Sequence, residues 1–415
     1  MRTRTRRRAF HLVTGLVALL SAGLFAPSAS AVSGELRVLY AFATWGPLPF
    51  TQADAERVAA ETDTFMQASS SGRLSMPGSV SAPIRLPRAV FDSCDAAALR
   101  NASPAATFSG YDRIVFVTPP VPACQFAGEA NPTEVLLNGL LFRALAVHEL
   151  GHTLGLGHAS RWNCVGGSCE VDEYGGEFSA MGGGDGDFNA FEKAKLEWLT
   201  GVVRPTGNAT YEVGPIEGGT SLPQALVVTT AASKFWFESR GDPTPAFDGD
   251  SAQPSGVAVI AGPGNGAVAS PYPRENLLLA NPGGRGRFAY ASGETFVRQG
   301  VFRVTVERHA RESATLRFAW LDRTAPGRPT IDVRTMRRGR VRLTWDPAPE
   351  QGSGVQTYSI VVDGRVVRTL DGQVPYLNSS VTLRLPRGPH RVAVLATDRA
   401  GNRGRAATKR LVISR

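Results

Sequence analysis

The run His148-Glu-Leu-Gly-His152-Thr-Leu-Gly-Leu-Gly-His158 constrains this chain more than any other feature. Residues four apart on a helix lie on the same face, so His148 and His152 can reach one metal ion, with Glu149 beside it. Gly155 can adopt the left-handed conformation that ends a helix, which lets the chain bring His158 back toward the ion. Three histidine ligands leave one coordination position open, as a catalytic zinc site requires. A buried structural histidine pair could mimic the first five residues, but the continuation favours a metal site.

The expected chemistry assigns a role to each of these side chains. His148, His152 and His158 are predicted to bind one zinc ion, which activates a water molecule and polarises a peptide carbonyl. Glu149 is predicted to take the proton from the attacking water and pass it to the leaving amine. The sequence does not identify a second donor to the developing oxyanion.

The extended motif resembles that of the metzincin metallopeptidases, which it matches at every fixed position. Met181, in the run Ser-Ala-Met-Gly, is similar to the methionine of the turn that lies below the metal in those enzymes. Gly183 stands where some metzincins have a metal-binding tyrosine, so no tyrosine ligand is expected.

Within the metzincins the chain resembles the gametolysin group and its bacterial relatives over about residues 35–322. The matching pieces include Cys124, Cys164 and Cys169, Glu173-Tyr174-Gly175, Met181 to Gly184, Phe188-Asn189-Ala190, and Leu196 to Leu199. The resemblance implies a secreted zinc-dependent endopeptidase that hydrolyses peptide bonds in a protein or peptide substrate. The implied fold is an α+β metzincin-like catalytic domain, with a twisted sheet and a long zinc-binding helix.

Local patterns predict the elements of the catalytic domain, which we expect at residues 32–200. Residues 35–44 and 111–118 are predicted to be strands, and 51–69 a helix with a capping box. The zinc-binding helix is predicted to begin with Asn131 as N-cap and Pro132 in its first turn, and to end at Gly155.

The sequence after Leu199 predicts two all-β sandwich domains, at residues 201–322 and 323–415. Both are rich in short runs of β-forming residues separated by Gly and Pro. Trp345, Tyr358 and the run 398–402 resemble a fibronectin type III or related immunoglobulin-like module.

Residues 1–31 have the pattern of a signal peptide. Arginines at positions 2, 4, 6, 7 and 8 precede an apolar run, and Ala29-Ser30-Ala31 matches a cleavage site. Arg7-Arg8 also suggests the twin-arginine route, so the export pathway stays open. No later segment is predicted to span a membrane, and we expect a secreted protein.

The four cysteines predict two disulfide bonds in an exported protein. Three pairings exist, and Cys94–Cys124 with Cys164–Cys169 is favoured because each closes a local loop. A cysteine-based zinc site is the alternative, which the absence of C-x-x-C spacing disfavours.

Charge is unevenly distributed along the chain. Residues 323–415 contain 18 Lys and Arg against 6 Asp and Glu, a net charge of +12, whereas residues 32–322 contain 22 against 30, a net charge of −8. The basic part could bind an acidic surface or extracellular polymer, or it could simply be a solvated arginine-rich surface. No nucleic acid is expected as a partner. Asp185-Gly186-Asp187 could bind calcium, although a plain turn is favoured because the full loop pattern is missing.

Two other functions remain open at this stage. A zinc hydrolase that cuts another amide, such as one in cell-wall peptide crosslinks, would use the same residues. A non-catalytic adhesion protein is disfavoured, because degenerate relics usually lose the glutamate or a ligand.

Overall fold

The structure is a computed structural model that describes residues 32–414, except 166–167, 242–246, 248–255, 265–268, 282–287 and 373–378. The predicted signal peptide, 1–31, therefore lies outside the described residues. None of the helices in the described part of the chain has both the length and the apolar character of a membrane span.

The N-terminal part consists of a sheet and the helices packed on it. Its helices are α1 (Gln52–Ser69), α2 (Arg88–Phe91), α3 (Ala96–Ala102), α4 (Arg143–Thr153) and α5 (Ala190–Lys195). Its strands are β1 (Gly34–Glu35), β2 (Val38–Thr44), β3 (Leu74–Ser75), β4 (Gly78–Val80), β5 (Ile84–Arg85), β6 (Arg113–Thr118), β7 (Gly128–Ala130) and β8 (Glu134–Asn138). The sheet has the order β4-β2-β6-β8-β7, and β5 also pairs with β2. Strands β4, β2, β6 and β8 are parallel, while β7 runs antiparallel to β8 at the edge.

Helix α1 forms where the sequence predicts it. The Thr51 hydroxyl accepts a hydrogen bond from the Asp54 backbone N–H, and the Asp54 carboxylate accepts one from the Thr51 backbone N–H. This capping box satisfies backbone donors that a helix start leaves unpaired. The buried face of α1, which includes Val58 and Phe65, belongs to the same hydrophobic core as Val147 and Leu150 of α4. The core thus holds the histidine-bearing helix in place.

The prediction of one long helix from Asn131 to Gly155 was wrong in its first half. Residues 134–138 form β8, and α4 begins only at Arg143. The Asn131 side chain accepts hydrogen bonds from the backbone N–H groups of Thr133 and Glu134, as an N-cap would, but the chain after it is extended. The apolar run of β8 is buried between β6 and β7, and a continuous apolar run suits a buried strand as well as a buried helix.

The middle of the chain is β-structure, as predicted after Leu199. It contains β9 (Ser160–Val165), β10 (Ser168–Asp172), β11 (Val202–Val203), β12 (Ala209–Val213), β13 (Ala225–Thr229), β14 (Ser233–Arg240), β15 (Gly256–Pro263), β16 (Leu277–Leu279), β17 (Ala289–Tyr290), β18 (Thr295–Arg298), β19 (Phe302–Ala310) and β20 (Ser313–Trp320). One sheet has the order β10-β9-β16-β15-β14-β13-β11, with β17 on β15, and a second has the order β12-β20-β19-β18. Aromatic side chains from both sheets, including Phe235, Phe302 and Phe318, share one core.

The C-terminal part has two further sheets. Its strands are β21 (Ile331–Thr335), β22 (Arg340–Trp345), β23 (Val355–Val362), β24 (Arg365–Asp371), β25 (Ser379–Arg384), β26 (Gly388–Asp398) and β27 (Ala407–Ile413). The sheets have the orders β21-β22-β25 and β24-β23-β26-β27. Trp345 and Tyr358 lie in the core between them, with ring centroids 5.7 Å apart. The domain boundaries at residues 200 and 322 stay predictions.

Both predicted disulfide bonds are present. Cys94 pairs with Cys124, and Cys164 pairs with Cys169 across the β9–β10 hairpin. The second bond links the two strands of the hairpin that follows His158 in the chain.

Candidate metal centre

The structure brings the three predicted histidine ligands together. His148 and His152 lie one turn apart on α4, and the chain then turns at Gly155, whose φ of +89° is in the left-handed region. Ring nitrogens of His148, His152 and His158 all lie within 4.8 Å of one another. Such a group of nitrogens could hold one metal ion.

Each imidazole is oriented by a hydrogen bond from its Nδ1 atom. His148 Nδ1 lies 2.8 Å from the carbonyl oxygen of Ala180, and His152 Nδ1 lies 2.9 Å from that of Leu156. His158 Nδ1 lies 2.9 Å from Glu173 Oε1. Carbonyl and carboxylate oxygens can only accept, so each Nδ1 carries a proton, and in the neutral ring the lone pair is then on Nε2. The three rings are therefore in the tautomer that leaves Nε2 as the ligand atom.

Burial also favours neutral rings at this site. Burial lowers the pKa of His148 to about 4, against the opposing effect of its bond to the Ala180 carbonyl. Burial likewise lowers the pKa of His152. Only a neutral imidazole can donate a lone pair to a metal, so both histidines on α4 are ready to act as ligands at neutral pH.

The loop that contains Met181 lies directly against α4. Met181 is fully buried, and its carbonyl accepts a hydrogen bond from the Ala159 N–H, next to His158. The preceding residue, Ala180, accepts the bond from His148. Met181 thus occupies the position below the histidines that the resemblance to a methionine turn implies.

Glu149 is almost completely buried beside the histidines. Burial, and secondarily the negative charge of Glu129, raises the pKa of Glu149 to about 7. Its carboxylate packs on Gly128 of the edge strand β7, where an added Cβ atom would lie 2.5 Å from Glu149 Oε1. A carboxyl group with a pKa near neutrality can accept and return a proton with little energetic cost.

An open cleft of about 840 Å³ leads to these side chains. Its walls include strand β7, the exposed side of α4 and the glycine-rich segment 182–184. His148, His152, His158 and Glu149 all line it, so the site is accessible to a ligand from solvent.

Two residues at this site were quoted in the resemblance but given no role from the sequence. Glu173 orients His158, as described above, and Tyr174 lies over the same ring, with centroids 4.4 Å apart. The Tyr174 ring is 6.1 Å from that of His148 and is 54% exposed in the cleft. The turn after β10 brings them to His158, and no local sequence signal predicts that contact.

The β-rich middle part anchors the segment that carries His158. Strand β9 begins two residues after His158 and pairs in parallel with β16. Asn276, just before β16, accepts a hydrogen bond from the Ser160 N–H through its carbonyl and donates one to Glu192 through its side chain. Glu192 in turn accepts a hydrogen bond from the Ser179 hydroxyl in the Met181 loop, at 2.6 Å. The middle sheets therefore help to position the site.

The calcium alternative at residues 185–187 is not supported by the structure. Asp187 is fully buried, and its two carboxylate oxygens bind the Lys193 ammonium and the Ser69 hydroxyl. Since an ammonium ion already neutralises this carboxylate, the segment has the character of a buried ion pair.

The comparisons with known proteins agree with this geometry. Three histidines beside a buried glutamate, arranged as H-E-x-x-H and a third histidine, define a metallopeptidase type of site. Residues 53–237 match the family model described as gametolysin peptidase M11, so the resemblance predicted from the sequence is confirmed over this segment. No curated protein matches the chain.

Similar solved structures cover separate parts of the chain. Archaemetzincin from Methanopyrus kandleri shows 16% identity over 39% of this chain and 94% of its own, with a TM-score of 0.25. The fibronectin(III)-like modules of CbhA from Clostridium thermocellum show 15% identity over 20% of this chain and 96% of theirs, with a TM-score of 0.17. An FN3 domain of human collagen XX shows 23% identity over 21% of this chain and 93% of its own, with a TM-score of 0.17. These scores are low, so the similarity to a metallopeptidase family rests on the family model alone.

Proposed function

We propose that the protein is a secreted zinc-dependent endopeptidase, with His148, His152 and His158 as metal ligands and Glu149 as the general base. The observation that carries this proposal is the convergence of three correctly oriented imidazoles beside one buried carboxylate at the floor of an open cleft. Three imidazole ligands with fixed Nδ1 partners suit a catalytic zinc site, because one side of the group is open to solvent. When bound, zinc would supply Lewis-acid polarisation of the attacking water and of the scissile carbonyl.

The chain's own residues would carry the proton transfers. Glu149 accepts a proton from the attacking water and delivers it to the leaving amine, for which its raised pKa is suited. Contact with Gly128 fixes the carboxylate against the edge strand that lines the cleft. Protonation of the amine completes cleavage of the C–N bond.

Tyr174 is the residue we assign as second donor to the developing oxyanion. Its ring lies beside His158 and His148, and it lines the same cleft as the three histidines. Partial desolvation, and secondarily the negative charges of Glu173 and Glu149, raise the pKa of Tyr174, so the phenol keeps its proton at neutral pH. A neutral hydroxyl at this place can donate a hydrogen bond to a carbonyl oxygen that becomes negative.

Secretion is part of the same proposal. The two disulfide bonds agree with an oxidising compartment, and the signal-like pattern at residues 1–31 would direct export. The basic C-terminal part, residues 323–415, is proposed to attach the enzyme to an acidic extracellular polymer.

One experiment tests the peptidase proposal directly. The purified protein and its Glu149→Gln variant are incubated with a peptide library, with and without a chelator, and products are read by mass spectrometry. We expect cleavage by the wild-type protein only, loss of cleavage with chelator, and unchanged zinc content in the variant. Equal cleavage by the variant would contradict the role of Glu149. A parallel digest of purified cell wall separates a general peptidase from an enzyme that cuts only cell-wall crosslinks.

A further inference from the structure

The outward face of the β21-β22-β25 sheet carries a patch of arginine side chains. Buried residues such as Val341 and Leu343 alternate with the exposed positions of β22, so one face of this sheet points to the core and the other to solvent. The outward positions of the three strands, which we call the arginine face, are Asp332, Arg334, Arg340, Arg342, Thr344, Ser380, Thr382 and Arg384.

The strand register places arginine directly opposite arginine at two points of this face. Arg334 pairs with Arg342 across β21 and β22, and Arg340 pairs with Arg384 across β22 and β25. Arg340 and Arg342 are two residues apart on one strand, so all four side chains point the same way. Like charges directly opposite on a sheet are destabilising. An anionic ligand would relieve this repulsion.

Little negative charge within the protein compensates this patch. The carboxylate of Asp332, at one end of the arginine face, forms two ion pairs. Its Oδ2 atom lies 3.4 Å from Arg334 Nε, and its Oδ1 atom lies 3.9 Å from Lys409 Nζ. Among the described residues, no carboxylate is within 4.0 Å of the guanidinium groups of Arg340, Arg342 or Arg384. Three arginines thus remain without an ion-pair partner in the described part of the chain.

Neighbouring turns extend the positive surface. Arg337 and Arg338 are exposed in the turn between β21 and β22, and Arg387 is exposed just after β25. Positive charge therefore continues past one end of the sheet, in a strip longer than a single small anion would need.

We propose that the arginine face binds a linear anionic polysaccharide. Arginine forms paired hydrogen bonds with carboxylate and with sulfate or phosphate oxygens. The hydroxyl groups of Thr344, Ser380 and Thr382 lie on the same face and can bond to sugar hydroxyls. Along a strand, alternate arginines repeat at about 7 Å, which suits a polymer with regularly spaced charges.

The composition of the face disfavours two other polyanions. None of its eight outward positions is aromatic, so bases of single-stranded nucleic acid have no surface on which to stack. None is apolar, and Met336, exposed in the adjoining turn where its N–H donates to the Arg340 carbonyl, offers only a small apolar surface to a lipid bilayer. The inference rests on the proposed attachment role of residues 323–415, and it does not depend on peptidase activity.

Binding of the full-length protein to immobilised polygalacturonate and dextran sulfate tests the inference, with neutral dextran as the blank. The face variant is R334Q/R340Q/R342Q/R384Q. The matched control, R365Q/R368Q/R403Q/R405Q, removes the same charge from exposed positions on β24 and before β27. Each contact between an arginine and an anionic group of the polymer contributes to a salt-dependent affinity. We therefore expect the Kd for the anionic polymers to rise at least about tenfold in the face variant and less than about threefold in the control.

Several results would overturn the inference. Equal losses in both variants would show that net charge, and not this face, governs binding. The inference would also be contradicted if the wild-type protein bound neither anionic polymer. Binding to duplex DNA or to anionic vesicles that is equally tight and equally dependent on the arginine face would contradict it as well. Thermal unfolding of each variant reports its folding, and peptide cleavage by the same samples keeps a failure of the peptidase proposal separate from a failure of this one.

Discussion

The sulfur atom of Met181 lies against Gly151, in the space that a Cβ atom on this glycine would occupy. Gly151 lies between Glu149 and His152 on α4, and Met181 is fully buried below the helix. The absence of a side chain at residue 151 therefore sets how closely the histidine-bearing helix approaches the Met181 loop. That loop also orients His148 through the carbonyl of Ala180.

Replacement of Gly151 by alanine is expected to destabilise the protein. Inside a helix this change normally stabilises by about 1 kcal/mol, but here the methyl group would collide with the Met181 sulfur. We expect the free energy of unfolding to fall by about 1–3 kcal/mol, which is the usual cost of overpacking a core. Chemical denaturation measures it. Gly157→Ala is the control, because an added Cβ at Gly157 meets no atom within 4 Å. A Gly151→Ala protein as stable as the wild type would contradict the argument.

Gly128 has a similar relationship to the carboxylate of Glu149. A Cβ atom at residue 128 would lie 2.5 Å from Oε1 and 2.7 Å from Cδ of Glu149. Gly128→Ala should displace the carboxylate and leave the histidines in place. We expect kcat/KM for a peptide substrate to fall about 10- to 100-fold, because small misplacements of reacting groups cause losses of this size. The zinc content should be unchanged.

The control for this prediction is Gly46→Ala, at a position with open space for a methyl group. It should leave kcat/KM unchanged. Loss of zinc from Gly128→Ala would mean that the strand supports the metal ligands and not Glu149, and full activity would show that the contact is unimportant.

The sequence predicts the grouping of the three histidines better than the elements that carry them. The histidine run and its glycine encode local geometry, since spacing on a helix decides which side chains share a face. The start of the helix was not predictable in the same way, because the apolar run Val135–Leu137 suits a buried strand and a buried helix equally. Its strand character comes from tertiary pairing: β8 lies between β7, which precedes it directly in the chain, and the parallel strand β6, which comes earlier still.

Contacts across the fold explain the other omissions. Glu173 is 15 residues from His158 and reaches it only because β9 and β10 form a hairpin and the chain turns after it. The two disulfide bonds were predictable because each closes a short loop, whereas Asn276 reaches the His158 segment through a parallel strand pair more than 100 residues away. Such pairings have no periodic signal in the sequence.

Glu173 is expected to tune metal affinity as a positioning residue. Its carboxylate accepts the hydrogen bond that fixes the His158 ring, although its side chain is 53% exposed. Loss of such partners typically weakens metal binding 10- to 100-fold, so we expect the zinc Kd of Glu173→Ala to rise by about that factor. Glu173→Gln, which retains an acceptor oxygen, should show a smaller rise. Competition with a chromophoric chelator measures both.

The exposed Glu170, on β10 of the same hairpin, provides the control for Glu173. Glu170→Ala removes the same charge and should leave zinc affinity unchanged. Equal weakening in both variants would indicate a general effect of negative charge near the site and would remove the specific role of Glu173.

Tyr174 allows the proposed oxyanion contact to be separated from metal binding. Tyr174→Phe removes only the hydroxyl and keeps the ring that lies 4.4 Å from His158. If the hydroxyl stabilises charge that develops only in the transition state, kcat should fall about 10²- to 10³-fold while KM changes little. Zinc affinity should stay constant, since the ring and the Glu173 contact remain. Tyr211→Phe, on β12, is the control. A fall in zinc affinity would indicate that Tyr174 is a metal ligand. A kcat within about twofold of the wild-type value would show that the Tyr174 hydroxyl does not stabilise the oxyanion, because loss of a donor that does so lowers kcat far more.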